Sequence, residues 1–348
     1  MRTAISVGSA YYDGEDWESM VEMVEAADRM GVDTVWSAEA WGMEAVSMLG
    51  YLASRTKRIR LGTGIMQISA RTPAATAMTA LSLSRISNDR FTLGLGASGP
   101  QVVEGVHGAA FAKPLTRMRE YVAVVRMAIS GERIEFEGEQ HVLPRKGGEG
   151  KAIRLSMPPN PNIPICLATL GEKSLELTGE VADGWLGTSF IPERADVMLG
   201  PIERGAKRAG RSLDDLMIET NAVMVVSEDV EGLLNRARQG MAFTLGAMGS
   251  PKTNFYNAAF SRAGYEDVAK EVQRLWIEGD KAKAVAAVPD EMLLSAYLIG
   301  TEDMVRARIR AFRDAGVGAL RLGPEGKTTK ERIASLEYRL DLIRSETE

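Results

Sequence analysis

Cysteine is almost absent from this 348-residue chain, with Cys166 the only one. No intramolecular disulfide can form, and a zinc site built on several thiolates is excluded. Imidazoles are nearly as scarce, His107 and His141 being the pair, so a transition-metal centre is poorly supplied and none is expected. No stretch approaches the ~20 uninterrupted apolar residues that cross a bilayer. The opening segment MRTAISVGSAYYDGEDW lacks the apolar core of a signal peptide. No membrane partner is expected, and the default location is the cytoplasm. Positive charge is not in excess either. A formal net charge of −5 argues against a nucleic-acid partner, because such a footprint needs clustered Lys and Arg to displace phosphate counterions. A local basic pocket for an anionic ligand stays compatible with that balance.

What is present is globular material. Hydrophobic residues make up 45% and charged residues 26%, enough for a large core and against disorder of the whole chain. The length is long for one ordinary domain and normal for a single α/β barrel carrying insertions.

The pattern alternates between strand and helix. Residues 3–8 (TAISVG) form an apolar run suited to a buried strand. Trp17, Met20, Val21, Val24 and Ala27 then recur at helical spacing until Gly31. Strand-like 32–37 precedes helix-like 44–55, and strand-like 59–64 leads to Thr72-Pro73, an N-cap with proline at the first helical position, opening a helix to about Ser87. Further strands are expected at 91–96, 163–168, 183–189, 216–226 and 318–323, and helices at 115–130 and 172–182. A β-hairpin is expected within 133–143 around Glu137-Gly138. Thr301 caps a helix with Val305, Ile309 and Phe312 on one face, ending at Gly316. Eight apolar strands separated by helices imply a parallel sheet covered on both faces, and eight units favour closure into a (β/α)8 barrel. We expect one barrel domain over 1–348, with functional insertions at about 98–118, 131–162 and 246–300.

In such barrels the chemistry sits at the carboxyl ends of the strands. Ser37-Ala38-Glu39-Ala40-Trp41-Gly42 follows the second strand. Glu39 and Trp41 suit a polar anchor and a stacking wall for a flat ring, or equally a surface carboxylate beside a loop-packing indole. Gly62-Thr63-Gly64-Ile65-Met66-Gln67 follows the third, its glycines allowing close approach of a ligand or merely a tight turn. After the fourth, Gly94-Leu95-Gly96-Ala97-Ser98-Gly99 spells G-x-G-x-x-G. The dinucleotide reading fails, because the string closes the fourth unit, Pro100 follows at once and no acid-tipped second strand lies at the right spacing. The backbone of Ala97, Ser98, Gly99, Pro100 and Gln101 still suits an anion-binding nest. After the fifth strand, Leu170 and Gly171 open a helix whose N-terminus suits phosphate, although most helix N-termini bind only water. Thr188 supplies a hydroxyl after the sixth.

His107 and Glu104, in the insertion after the fourth strand, are the best-placed groups for proton transfer, though a lone loop His is more often a surface residue. His141 reads as structural and Cys166 as packing. The 18 methionines read as core filler, with Met43 and Met66 located where an apolar pocket would be.

Taken together, the segments Glu39–Ile65, Leu93–Gly108 and Gly179–Ser189 resemble the luciferase-like monooxygenase superfamily of flavin and deazaflavin barrels over nearly the whole chain. The wording Ser98-Gly99-Pro100-Gln101-Val102-Val103-Glu104-Gly105 is similar to the branch that uses coenzyme F420, with FMN the alternative cofactor. The resemblance implies a non-prolyl cis peptide at Gly64–Ile65 in a β-bulge that backs the cofactor ring, with Glu39 near the ring's polar edge. It implies a phosphate-bearing tail held by Ala97–Gln101, Leu170, Gly171 and Thr188. It further implies a hydride-transferring enzyme acting on a small-molecule substrate, commonly as a homodimer; the alternatives are an FMN-dependent two-component monooxygenase of the same fold and a non-catalytic cofactor-binding barrel. Trp41, Met66 and His107 would shape the substrate pocket. A sugar-phosphate dehydrogenase branch carries a glutamate near the position of Gly99 and a histidine at that of Ala40, so that reaction is not expected.

Overall fold

The computed structural model describes residues 1–8, 16–250 and 252–347. Eight strands carry the fold: β1 (Arg2–Val7), β2 (Thr34–Ser37), β3 (Arg60–Thr63), β4 (Phe91–Gly96), β5 (Ile165–Ala168), β6 (Gly184–Gly187), β7 (Met217–Ala222) and β8 (Ala319–Leu322). Each pairs in parallel with its neighbours in the cyclic order β3-β2-β1-β8-β7-β6-β5-β4, and a β3–β4 pairing closes the ring. The expected (β/α)8 TIM barrel is the fold.

Strand alternation explains why the ring closes. Ile5, Val7, Val35, Leu61, Leu93, Leu95, Leu167 and Trp185 point outward into one large core shared with the helices. Ala4, Trp36, Cys166 and Leu186, on intervening positions, form a separate buried cluster inside the barrel. Helix boundaries follow their punctuation. Thr72 accepts a hydrogen bond from Ala75 N with Pro73 in the first turn. Thr301 does the same for Met304 N, and Val305, Ile309 and Phe312 are buried. Gly31 ends Trp17–Met30 at φ +82°, in the left-handed region that glycine favours.

Two expectations need correction. The run 216–226 is not one strand. It breaks at Val223, after which Met224–Val226 leaves the barrel and pairs in parallel with Leu298–Gly300 in a sheet of its own. The excursion after β7 therefore begins at Met224 rather than near 246. Its helices enclose a second hydrophobic core that includes Leu234, Met241, Leu245, Val272 and Met292. The hairpin within 133–143 pairs only Phe136–Glu137 with Val142–Leu143. Its turn is wider than Glu137-Gly138, closing with Gly138 N donating to His141 O at 2.8 Å. The Glu120 carboxylate stabilises that wider turn by accepting the amides of Glu139, Gln140 and His141, each at 2.8 Å.

Candidate active site at the carboxyl mouth of the barrel

The barrel interior is plugged below and open above. Trp36, fully buried, fills the middle layer. A Cβ on Gly62 would sit 2.3 Å from its ring, and one on Gly64 would sit 2.7 Å from its Cβ. These glycines are there because the indole occupies the space a side chain would need. Beneath the mouth, Glu219 is 1% exposed with Arg321 Nε 3.7 Å away. Burial pushes its carboxyl above the ordinary range, and Arg321 opposes that only in part. At the carboxyl ends the inward positions are small: Ser6, Gly64, Gly96, Ala168, Thr188, Asn221 and Gly323. Ser6, Asn221 and Gly323 are exposed although they lie on or just after barrel strands, so these positions of the mouth are open to solvent.

One wall of the mouth is a bulge. Gly62 pairs with Thr92 and Met66 with Leu95, so the β3 side has one residue more than β4 between the pairs, which defines a β-bulge. The extra residue lies at Gly64–Ile65, whose peptide bond is cis. Both residues are half-buried between fully buried neighbours, so the bulge presents a face to the mouth. Gly96 has no room for a Cβ because Ile65 lies 2.7 Å from where it would be. Beyond the bulge, Met66 is not a pocket residue as expected. It is fully buried in the outer core, with its sulfur 3.6 Å from Thr76 Oγ1.

Glu39, from the β2 end, is tied down. Arg71 Nη1 meets both carboxylate oxygens at 2.6 Å, and Arg71 Nη2 reaches Glu44 at 3.1 Å. Gln67 Nε2 donates to the carbonyls of Glu39 and Ala40 at 3.3 Å, stitching this loop to the segment after β3. Arg71 O in turn accepts from the Tyr121 hydroxyl, which also meets Thr76 Oγ1 at 2.5 Å. Burial raises the Tyr121 phenol to about 12, so it stays protonated at neutral pH. Trp41 is 49% exposed at the rim.

The loops after β4, β5 and β6 offer donors. Ser98 has φ +58°, and this turn leads into a short helix, Pro100–Gly105, starting at Gly99. The amides of Ser98, Gly99 and Gln101 donate to no backbone carbonyl among the described residues. Trp185 Nε1, on β6, donates to Thr169 O at 2.9 Å, fixing the loop after β5. There Leu170 and Gly171 precede the helix Glu172–Val181, which has no side-chain cap. Thr188 is half-buried at the end of β6.

His107 is half-buried, its Nε2 sealed without a hydrogen-bond partner among the described residues. Glu104 is exposed, and its carboxylate accepts from Phe111 N at 3.2 Å, closing its own loop. His141 stands apart from the mouth, edge-on to Tyr121, and burial holds its imidazole below the usual histidine range. Sequence reasoning missed Gln67, Arg71 and Tyr121. Arg71 and Gln67 lie within one loop of the β3 end and could have been nominated by position. Tyr121, mid-helix, carries no such signal. Among the described residues no cluster of His, Cys, Asp and Glu is placed to hold a metal, and no helix is long and apolar enough to cross a membrane.

A closed parallel barrel whose carboxyl mouth is open, bulged on one wall and lined with backbone donors on another defines an α/β-barrel enzyme. The chain belongs to the luciferase-like monooxygenase family, whose model matches residues 2–319. It is 38% identical to Rv3520c of Mycobacterium tuberculosis, which carries the name of a coenzyme F420-dependent oxidoreductase, over 91% of this chain and 93% of that one. It is 30% identical to the 5,10-methylenetetrahydromethanopterin reductase of Methanolobus tindarius over 89% and 91% of the two chains. The coenzyme F420-dependent tetrahydromethanopterin reductase of Methanopyrus kandleri has the same fold, with a TM-score of 0.76 at 23% identity over 97% of both chains. A solved FMN complex of a Pseudomonas putida monooxygenase has this fold as well, with a TM-score of 0.69.

Proposed function

We propose that the protein is a coenzyme F420-dependent oxidoreductase that moves a hydride between C5 of the deazaflavin and a small organic substrate. The observation that carries the reading is the mouth, where the inward positions Ser6, Gly64, Gly96, Ala168, Thr188 and Gly323 are small and one wall is the Gly64–Ile65 bulge. Such a cradle fits a flat ring, and the amides of Ser98, Gly99 and Gln101, which donate to no backbone carbonyl among the described residues, fit an anionic tail. The names of the relatives favour this cofactor over FMN, although the fold accommodates both.

When bound, the deazaflavin supplies an obligate two-electron hydride carrier. The chain's own residues supply position. The Gly64–Ile65 bulge would back the ring, and Glu39, held by Arg71, would lie near it with its charge paired. Ala97, Pro100 and their neighbours, with Leu170, Gly171 and Thr188, would hold the tail. Trp41 walls the substrate side, and orientation by these groups is the main catalytic contribution. His107 or Glu104 delivers a proton where the substrate requires one. Replacing His107 with Gln then lowers turnover on the true substrate at least tenfold, and wild-type turnover in H107Q removes His107 from the mechanism. We further propose a cytoplasmic homodimer built from a single barrel unit, which sedimentation at micromolar concentration tests.

Incubation with deuterated, reduced coenzyme F420 and a panel of carbonyls, imines and activated alkenes tests the reaction. Transfer of label to one class supports the reading. Label that never leaves the cofactor, together with oxygen consumption in the presence of reduced FMN, would establish the monooxygenase alternative.

A further inference from the structure

The residues assigned to backing the ring and holding its tail follow β2 to β6. The strands β7, β8 and β1, consecutive in the ring, supply none of them. That sector is where the mouth is open, through Ser6, Asn221 and Gly323. Its floor carries a cation. Arg321 takes an inward position on β8, in register with Ala4 on one side and Asn221 on the other. The next inward residue on its strand, Gly323, has no side chain to cover it. The guanidinium is 13% exposed and weakly partnered. Nη2 donates to Gly187 O at 3.2 Å, and Nε lies 3.7 Å from Glu219 Oε1, beyond hydrogen-bond reach. Nη1 donates to nothing among the described residues. Glu219 neutralises little of the charge, because burial holds its carboxyl towards the uncharged acid. A second donor comes from the excursion after β7. Tyr256, in the helix Phe255–Phe260, is half-buried, and its hydroxyl has no hydrogen-bond partner among the described residues. It lies close enough to Arg321 for that charge to oppose the effect of burial, which still raises the phenol and keeps it a donor at neutral pH. A cation with spare N–H groups and an unpartnered phenol thus share one corner of the mouth, and a desolvated cation without an anion is costly. An anionic oxygen completes the corner, since guanidinium and hydroxyl bind it by charge-assisted hydrogen bonds.

We propose that Arg321 and Tyr256 bind a carboxylate of the substrate, so that the small organic molecule turned over in this mouth is the anion of a carboxylic acid. The inference rests on the reading in "Proposed function" and names the substrate class which that reading leaves open. The two side chains act as specificity residues: they anchor the carboxylate and take no part in the hydride step. The excursion after β7 thereby contributes to substrate selection through Tyr256.

Fluorine NMR titrations of the full chain with 4-fluorobenzoate and its neutral amide, 4-fluorobenzamide, test it, with and without coenzyme F420. Wild-type protein binds the benzoate about tenfold more tightly than the amide, and the preference shrinks as salt rises. Arg321→Gln weakens the benzoate about tenfold and leaves the amide unchanged, while Arg321→Lys recovers part of the loss. Tyr256→Phe weakens the benzoate about threefold. Equal binding of the two probes by wild-type protein, or no binding of the benzoate, overturns the proposal, as does a preference that survives R321Q. Should R321Q fail to fold, Y256F decides, and an unchanged benzoate affinity there overturns the proposal. Failure of the cofactor reading is a separate observation: it falls if coenzyme F420 does not bind in its own titration, whereas the benzoate preference reports on this corner alone.

Discussion

A methyl group on residue 94 would lie 1.9 Å from the carbonyl oxygen of Thr63 and 2.9 Å from Leu186. Neither strand can move aside, because Thr63 Oγ1 is already bonded to both the amide and the carbonyl of Gly94. Gly94→Ala should therefore lower the unfolding free energy by about 1–3 kcal/mol, read from urea titration. Gly105→Ala, with nothing within 4 Å, should change it by less than ~0.5 kcal/mol. Glu219 gives a second test at this scale. Its folded pKa is raised, chiefly by burial, so the folded state binds its proton more tightly than the unfolded chain does. The associated stability is complete below the ordinary glutamate pKa and is lost as pH climbs through the higher folded value. Wild-type stability minus that of Glu219→Gln should thus fall as pH rises above the ordinary glutamate range, and a difference that is flat or rising contradicts the assignment. The sequence made the glycines conspicuous but left their cause open between ligand approach and turn geometry. The cause at Gly62 and Gly64 is Trp36, a side chain on another strand, and cross-strand packing has no local signature. The same holds for Glu39, whose tie to Arg71 depends on how two loops meet.

At the scale of elements, hydrophobic period and caps located the barrel strands and many of the helices between them, because a strand buried on both faces and a capped amphipathic helix are written in consecutive residues; the helices Asp196–Arg208 and Thr329–Thr347 were not named from sequence. The break at Val223 was not legible. The run 216–226 carries no glycine or proline to mark a break, and only the remote partner Leu298–Gly300 decides that the second half leaves the barrel. The hairpin after the Pro114–Ile129 helix also depends on a distant group, the Glu120 carboxylate that gathers three amides. Glu120→Gln leaves a single accepting oxygen and should cost about 2 kcal/mol. Hydrogen exchange should localise the loss to the amides of Glu139, Gln140 and His141. Protection unchanged there would mean that the turn holds itself.

For the molecule as a whole, the barrel is a rigid frame that brings short loops from separate strands to one rim, which is why the positions just after β2 to β6 could be nominated from sequence alone. Which of those positions faces the ligand, and what the excursion after β7 adds, depends on packing between parts far apart in the chain. Arg262, in that excursion, donates to the carbonyl of Leu170 across 92 residues of chain. The central claim is that this rim grips a deazaflavin with an anionic tail, and parallel fluorescence-quenching titrations with oxidised coenzyme F420 and with FMN test it most directly. The account predicts saturable binding of coenzyme F420 at micromolar or lower concentration, at least tenfold tighter than FMN. Tight FMN binding with no response to coenzyme F420 would contradict it.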